Sequence, residues 1–394
     1  MMELGVVGAP NSGKSTFFNA ATLCNAEVGN RPFETIKPNQ GIAYVKIKCP
    51  HVELGKQCKP VHGYCKNGWR FVPLKLWDVA GLVPDAWKGK GLGNQFLNDI
   101  MVSNGLIHVL DASGSTDTNG NVVGPGNFDP AETVVFLKRE IQYWIKGIME
   151  RSWHMLRHIK DEQAASVLAK QLSGLGIDEE SVKRCLSKIN FASRLFEWTD
   201  EQKLELAELV REECKPMVIA ANKMDLKEAQ QNIAELRKKF PEEIIVPVSA
   251  EAELALRKAS EAGLIEYTPG DSDFKELKEI SEKQKAALDF IRENVLKKFG
   301  STGVQQVINT LAFDVLHMIA VFPVEDQAKW ADSKGNILPD AFLLEEGSTA
   351  LDLAYKVHTE IGQNFVAAIN CRTGQKIGKD TELKHNDIVK IITR

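Results

Sequence analysis

Gly8 to Ser15, within GVVGAPNSGKSTFFNA, fit the pattern GxxxxGKS, and every fixed position of that pattern has a chemical reason. The backbone N–H groups of Asn11, Ser12, Gly13, Lys14, Ser15 and Thr16 are expected to curl around the α- and β-phosphates of a nucleotide at a helix N-terminus. Lys14 would reach the β- and γ-phosphates, and the Ser15 hydroxyl would ligand Mg²⁺. DVAG (Asp78 to Gly81) supplies DxxG, so that Asp78 could hold the Mg²⁺ shell and the Gly81 N–H could meet the γ-phosphate. NKMD (Asn222 to Asp225) supplies NKxD: the Asp225 carboxylate can accept two hydrogen bonds from a guanine edge, and Lys223 can cover the base. Adenine lacks those two donors. VPVSAE (Val246 to Glu251) then offers Ser249, Ala250 and Glu251, with the Ala250 N–H placed for the guanine carbonyl oxygen. Four motifs in this order point to GTP and GDP with Mg²⁺. A small-molecule kinase would share the first loop but has no use for Asp225.

Such motifs need strands that end beside one another. ELGVV (Glu3 to Val7) reads as a buried strand, and apolar runs precede the other three motifs, so the expected fold is α/β with a mostly parallel sheet. A chain of 394 residues suggests two or three domains, and 43% hydrophobic residues suffice for their cores. A formal net charge of −4 gives no global positive field, so DNA is not an expected partner and any RNA contact must come from a local patch. No apolar run reaches the roughly eighteen residues that span a membrane, and no charged-then-apolar leader precedes the first strand. The expectation is a cytoplasmic protein without a membrane partner.

The chain resembles the Obg-like, translation-factor-class P-loop GTPases, and among them the YchF branch. The resemblance rests on GAPNSGKSTFFNA, on RPFETIKPNQG (Arg31 to Gly41) and on DVAGLVPDAWKGKGLGNQFL (Asp78 to Leu97), and spans most of the chain. It implies that Thr35 closes on Mg²⁺ and the γ-phosphate as the switch I residue, that the glycine-rich KGKGLGNQF is switch II, and that catalysis falls to Lys14, Thr35, Gly81 and Asn11. The best-known YchF members carry Glu at the last position of NKxD and use ATP. This chain keeps Asp225, which argues for GTP. Where Ras-like proteins carry a Gln after DxxG, this chain has Leu82; related GTPases without the Gln use an Asn at the position of Asn11 to hold K⁺. Capping of the loop by the Asn11 amide is the alternative.

The gap from Asp78 to Asn222 far exceeds the thirty or so residues of a strand–helix unit. After a Gly/Asn/Ser-rich stretch (Asp111 to Pro130), read as a linker, Val134, Leu137, Ile141, Trp144, Ile148, Met155 and Ile159 follow a 3–4 alternation, with Ser152 the polar member. Further helices are expected at Glu162 to Ser173, Glu179 to Ile189 and Asp200 to Glu213. Periodicity and resemblance both give an inserted coiled-coil arm, helices that merely cover the sheet being the alternative.

Seven cysteines make no disulfide scaffold in a chain of this length. CPHVELGKQCKPVHGYC nevertheless brings Cys49, His51, Cys58, His62 and Cys65 into a hairpin-like insertion. Zinc would take such ligands tetrahedrally, but no CxxC knuckle is present, and a disulfide or plain loop cysteines are the other readings. At the C-terminus, Phe313–Val324, Ser348–Gly362, Asn364–Asn370 and His385–Arg394 alternate strand, helix, strand, strand, with Ser348 or Thr349 capping the helix and Gly362 ending it. Gly347–Thr349, LDLAxxxH and NDIVxI resemble a TGS domain, a β-grasp module, and this resemblance implies contact with the ribosome or ribosomal RNA, a rigid docking platform without RNA being the alternative. The expected division is 1–128 and 215–305 for the G domain, 129–214 for the helical insertion and 306–394 for the β-grasp unit.

Overall fold

The computed structural model describes residues 1–22, 40–79, 81, 84–88, 100–191 and 194–394. Thr35, Leu82 and all of the KGKGLGNQF segment after Lys88 lie outside the described residues. The larger sheet runs in the order β2 (Gln40–Lys48), β4 (Trp69–Asp78), β1 (Glu3–Val7), β5 (Gly105–Asp111), β6 (Met217–Asn222), β7 (Ile245–Pro247). β2 is antiparallel to β4, and the other neighbours on this path are parallel. β5 and β6 are buried at every residue, as central parallel strands covered on both faces are, His108, Asp111 and Asn222 being their buried polar members. A short β3 (Tyr64–Lys66) forms a hairpin with the start of β4. Its turn is Asn67–Gly68, whose φ values of 50° and 79° suit the right-handed twist of the two strands.

Helix α1 (Lys14–Thr22) covers one face of this sheet, and α2 (His51–Leu54) is a single turn after β2. On the other face α3 (Pro130–Trp153) starts with Asp129 as N-cap and Pro130 at its first position. Leu137, Ile141 and Trp144 of α3 share one apolar cluster with Val7, Val79 and Leu106 of the sheet. The same cluster continues into α4 (Ala164–Leu172), α5 (Glu179–Ser187) and α6 (Asp200–Cys214), through Leu168, Val182 and Leu206. The helical region is thus rooted on the sheet by a shared core. The 3–4 seam fails beyond Trp153: α3 gives way to a tighter turn at His154–His158, which shifts the phase, so Met155 is 48% exposed while Leu156 is buried.

The second sheet has the order β9 (Phe342–Glu345), β8 (Met318–Val324), β12 (Ile388–Thr393), β10 (Phe365–Asn370), β11 (Lys376–Ile377), with β8 and β12 parallel at its centre. Helix Ala350–Val357 covers one face, packing Leu353 on Ile319, Val321 and Val389. The other face, through Phe322, Leu343 and Ile388, joins the core that contains Phe17, Val45 and Leu311. Thr349 caps that helix with a reciprocal bond to Asp352. The expected stop at Gly362 is wrong. The helix ends at His358, and Gly362 lies inside a following turn, Thr359–Gln363, where the Tyr355 ring leaves no room for a Cβ.

Candidate functional site

The four motifs meet because parallel strands deliver their C-terminal ends to one edge of the sheet. Val6 lies opposite Asp78, Asp111 opposite Asn222, and Ala221 opposite Pro247. The loop after β1 carries Asn11, Ser12 and Gly13 into α1, and Asn11 adopts the left-handed φ of 59°. Gly13 has φ 96°, and a Cβ there would fall 2.1 Å from the Asn222 amide nitrogen, so a larger residue would force the two loops apart.

Asn222 is a clamp between loops. Buried to 4% exposure, its Nδ2 donates to the Ser12 carbonyl at 3.1 Å and its Oδ1 accepts from the Ala250 N–H at 3.1 Å. The Ala250 N–H, expected to meet a guanine oxygen, is here held by Asn222. Asp225 accepts from the Ser249 hydroxyl at 2.8 Å, which fixes the carboxylate. Ser249 itself caps helix Ala250–Glu261 by accepting from the Ala252 N–H, and Glu251 is exposed in the first turn. Lys223, at φ 66°, spans from there to the Asp111 carboxylate at 2.9 Å and the Ser115 hydroxyl at 3.0 Å.

At the phosphate end, the Lys14 ammonium donates to the Ala9 carbonyl at 2.8 Å. Burial pushes its pKa down to about 8, against the attraction of Asp78. Ser15 donates to Asp78 at 3.1 Å. Burial raises the Asp78 carboxyl above its ordinary range, opposed by Ser15 and Lys14. Gly81 sits beside this group: a Cβ on it would lie 3.2 Å from the Lys14 nitrogen. Thr16 is half-buried in the first turn of α1.

The reading of residues 111–130 as a linker needs correction. Burial disfavours the charged Asp111, but hydrogen bonds from Ser113 and Ser115 and the Lys223 ammonium outweigh it and hold the carboxyl low. Thr116 adds a further bond to Asp111. Asp117 accepts from the Asn119 and Asn121 N–H groups, closing the tip. The Asn11 amide nitrogen then donates to the Gly120 carbonyl at 2.9 Å, so the stretch is an ordered loop lying on the phosphate loop. Asp-x-Ser-x-Ser-Thr and Asp-x-Asn-x-Asn are side-chain-capped turn sequences, and they were the available signal. The insertion after β2 gathers Cys49, His51, Cys58 and Cys65, but not His62, which pairs with Asp340 at 2.6 Å.

Three family models match in chain order: a 50S ribosome-binding GTPase over residues 3–137, the G4 motif-containing domain of an Obg-like, YGR210-like GTPase over 220–326, and a TGS domain over 334–393. A GTP-binding protein of Methanocaldococcus jannaschii is 47% identical, the match covering 100% of this chain and 99% of that protein. The ribosome-binding ATPase YchF of Escherichia coli is 27% identical, over 93% of this chain and 87% of that protein. The crystal structure of a GTP-binding protein from Pyrococcus horikoshii is 40% identical with a TM-score of 0.77, covering 100% of both chains. With such identity along its whole length, and with matches in both its nucleotide-loop and C-terminal units, the chain belongs to the YchF branch of the Obg-like P-loop GTPases, a G domain joined to a TGS domain.

Proposed function

We propose that this chain binds GTP and GDP with Mg²⁺, hydrolyses GTP slowly, and uses the two states as a switch on the ribosome in the cytoplasm. Asp225 carries the base choice: its carboxylate is held by Ser249, beside a loop that Asn222 ties to Ser12. An acceptor pair fixed in advance favours the two N–H donors of guanine over adenine. In this reading the nucleotide lies on Asn11–Thr16, with Asn222, Lys223, Asp225 and Ser249–Glu251 around the base.

The phosphate end suits a divalent cation, since Ser15 already meets a carboxylate, Asp78, that burial alone disfavours as an anion. Ser15, Asp78 and Thr35 would hold Mg²⁺, which supplies charge neutralisation for the phosphates when bound. Lys14 leaves the Ala9 carbonyl to meet the β- and γ-oxygens, and the Gly81 N–H adds a donor. A water attacks the γ-phosphorus as the β,γ-bridge bond breaks, releasing GDP and phosphate. A leucine side chain at position 82 has no polar group with which to orient a water, so intrinsic turnover is slow, and Asn11 would hold K⁺ to supply positive charge in its place. The Asn11–Gly120 bond uses the amide nitrogen and leaves this role open. Residues 1–128 and 215–305 act as the G domain, 129–214 as its helical insertion and 306–394 as the β-grasp unit.

The ribosome enters from the relatives named ribosome-binding ATPases and from the TGS match. The test is co-sedimentation with ribosomal subunits in GDP and in a non-hydrolysable GTP analogue, with phosphate release measured with and without ribosomes. Retention with the analogue, release with GDP and ribosome-stimulated turnover are expected. Equal binding in both states, or none, removes the switch. Ribosome binding without turnover leaves a nucleotide-tuned RNA-binding module, and equal use of ATP overturns the base choice.

A further inference from the structure

Far from the nucleotide motifs, Cys49 at the end of β2, His51 in α2, Cys58 in the following loop and Cys65 in β3 converge so that their ligand atoms all lie within 4.8 Å of one another. We infer that these four residues form a structural zinc site, Cys₃His, that locks the insertion of the G domain against the TGS domain.

The distances carry the inference. Zn–S bonds of about 2.3 Å and Zn–N bonds of about 2.05 Å in a tetrahedron require ligand atoms about 3.8 Å apart for two sulfurs and about 3.5 Å apart for sulfur and nitrogen. Cys49 Sγ and Cys58 Sγ are 3.7 Å apart, and Cys65 Sγ and His51 Nδ1 are 3.5 Å apart. The sulfurs are not bonded, because a disulfide needs about 2.05 Å. Cys49, His51 and Cys58 are buried, and the Gln57 amide approaches Cys58 Sγ at 3.8 Å, as a donor to a ligating thiolate would. A closed set of three sulfurs and one imidazole leaves no open position, which marks a structural site and favours zinc over harder cations.

A second observation is independent of the ligands. Arg70, paired with Cys65 across the β3–β4 hairpin, is fully buried. Its guanidinium donates to the backbone carbonyls of Leu338 and Pro339 at 3.0 and 3.1 Å, and its Nε has no hydrogen-bond partner among the described residues. Its hydrogen bonds go to neutral carbonyls while the Asp340 carboxylate attracts it from nearby, and a buried cation without a directly bonded anion is costly. Zinc on three thiolates and a neutral imidazole carries one net negative charge, and would supply the counter-ion within the same core.

The place of the cluster gives its role. Lys59 and Val61, between the second and third sulfurs, donate their N–H groups to Ile337 and Pro339 at 2.9 and 2.7 Å. His62 pairs with Asp340, and Glu53 with Arg372. The chain that the four ligands would clasp is therefore the chain that docks the C-terminal domain. Zinc uptake displaces three thiol protons to solvent.

The test is metal analysis of the purified full-length chain in Mg²⁺-containing buffer. One equivalent of zinc is expected, kept by Cys214→Ser and lost by Cys58→Ser. His51→Ala should weaken retention against a chelator by at least the roughly 10- to 100-fold that perturbing an outer-shell partner costs. Should the variants fail to fold, stripped wild type titrated with cobalt(II) gives the visible bands of tetrahedral thiolate ligation, and stripping speeds hydrogen exchange at Lys59 and Val61. Absence of these bands with no metal retained, a Cys49–Cys58 disulfide by mass spectrometry, or zinc retained by Cys58→Ser would each overturn the site.

Discussion

Asp225→Asn is the substitution that isolates base choice. The carboxylate accepts from Ser249 at 2.8 Å and in the proposed complex accepts two further hydrogen bonds from guanine N1–H and the exocyclic amine. Hydrogen bonds to a charged group contribute about 1.5–3 kcal/mol each, so the pair supplies roughly 3–6 kcal/mol of base recognition. Asparagine retains one acceptor and turns its NH₂ toward the guanine amine, where two donors oppose each other. GTP affinity should fall about 100- to 10,000-fold at 1.4 kcal/mol per decade. Xanthine presents an oxygen where guanine has the amine, so the variant should gain xanthosine triphosphate. Displacement of a fluorescent GDP analogue by GTP, ATP and xanthosine triphosphate measures all three affinities. Ser249→Ala serves as companion, because it frees the carboxylate without changing its charge. One lost neutral-to-charged bond should weaken GTP by about tenfold and leave the preference for guanine intact. Wild type that binds ATP as well as GTP, or an Asp225→Asn variant that holds GTP within threefold of wild type, refutes the reasoning.

Three further outcomes follow from the phosphate end. Burial takes Lys14 down to about 8, and phosphates require its ammonium, so nucleotide affinity should drop about tenfold per pH unit above 8. Stability of the nucleotide-free chain should move oppositely: between about 8 and 10.5 the unfolded lysine binds more protons than the folded one, so this group's contribution rises with pH. Fluorescence titrations and thermal melts across that window check both signs, and an affinity flat up to pH 9.5 contradicts the first. If Asn11 holds K⁺, hydrolysis should run faster in K⁺ than in Na⁺ at equal ionic strength, and Asn11→Ala should abolish the difference while changing nucleotide affinity little. Equal rates in the two salts assign the missing catalytic group to a partner instead.

The motifs that end strands were legible because each combines a short-range pattern with a mechanism, and the sheet brings Asp78, Asn222 and the Gly8–Ser15 loop to one edge. What sits between motifs was harder. Glycine, asparagine and serine between Asp111 and Pro130 suit a linker by composition, yet in order they satisfy one another: Asp111 gathers three hydroxyls and Lys223, and Asn11 fastens the tip. Composition cannot distinguish polar side chains that face water from polar side chains that cap turns. The cysteines show the same limit in distance. Zinc knuckles are readable because their ligands lie two residues apart on one turn, whereas Cys49, Cys58 and Cys65 come from a strand end, a loop and a hairpin, and only the fold separates His51 from His62. Helix periodicity held for α3 while the helix was regular and lost its phase at the tight turn after Trp153.

These two readings meet on one pair of strands. β2 begins immediately after the segment containing Thr35 and runs nine residues to Cys49, about 30 Å at 3.4 Å per residue. Its partner β4 runs the opposite way, from Trp69 and Arg70 beside the cysteine cluster to Asp78 beside Ser15, with Gln40 opposite Trp77 and Lys48 opposite Trp69. The ladder therefore has a nucleotide end, where both strands connect to proposed γ-phosphate sensors, and a TGS end, where both connect to the insertion. Close-packed elements of low compressibility transmit strain from one end to the other. A continuous antiparallel ladder runs along β2 and β4, but no strand ladder continues through the single helical turn and loop from His51 to Val61. Four metal bonds across that loop would remove its slack, so that movement of the β2–β4 ladder reaches Ile337–Asp340 instead of being absorbed at Cys49. The physical condition for a nucleotide-dependent change in the TGS domain would then be met by a metal site at the far end of a ladder about 30 Å long, and stripping the metal should uncouple the two ends while leaving GTP affinity in place.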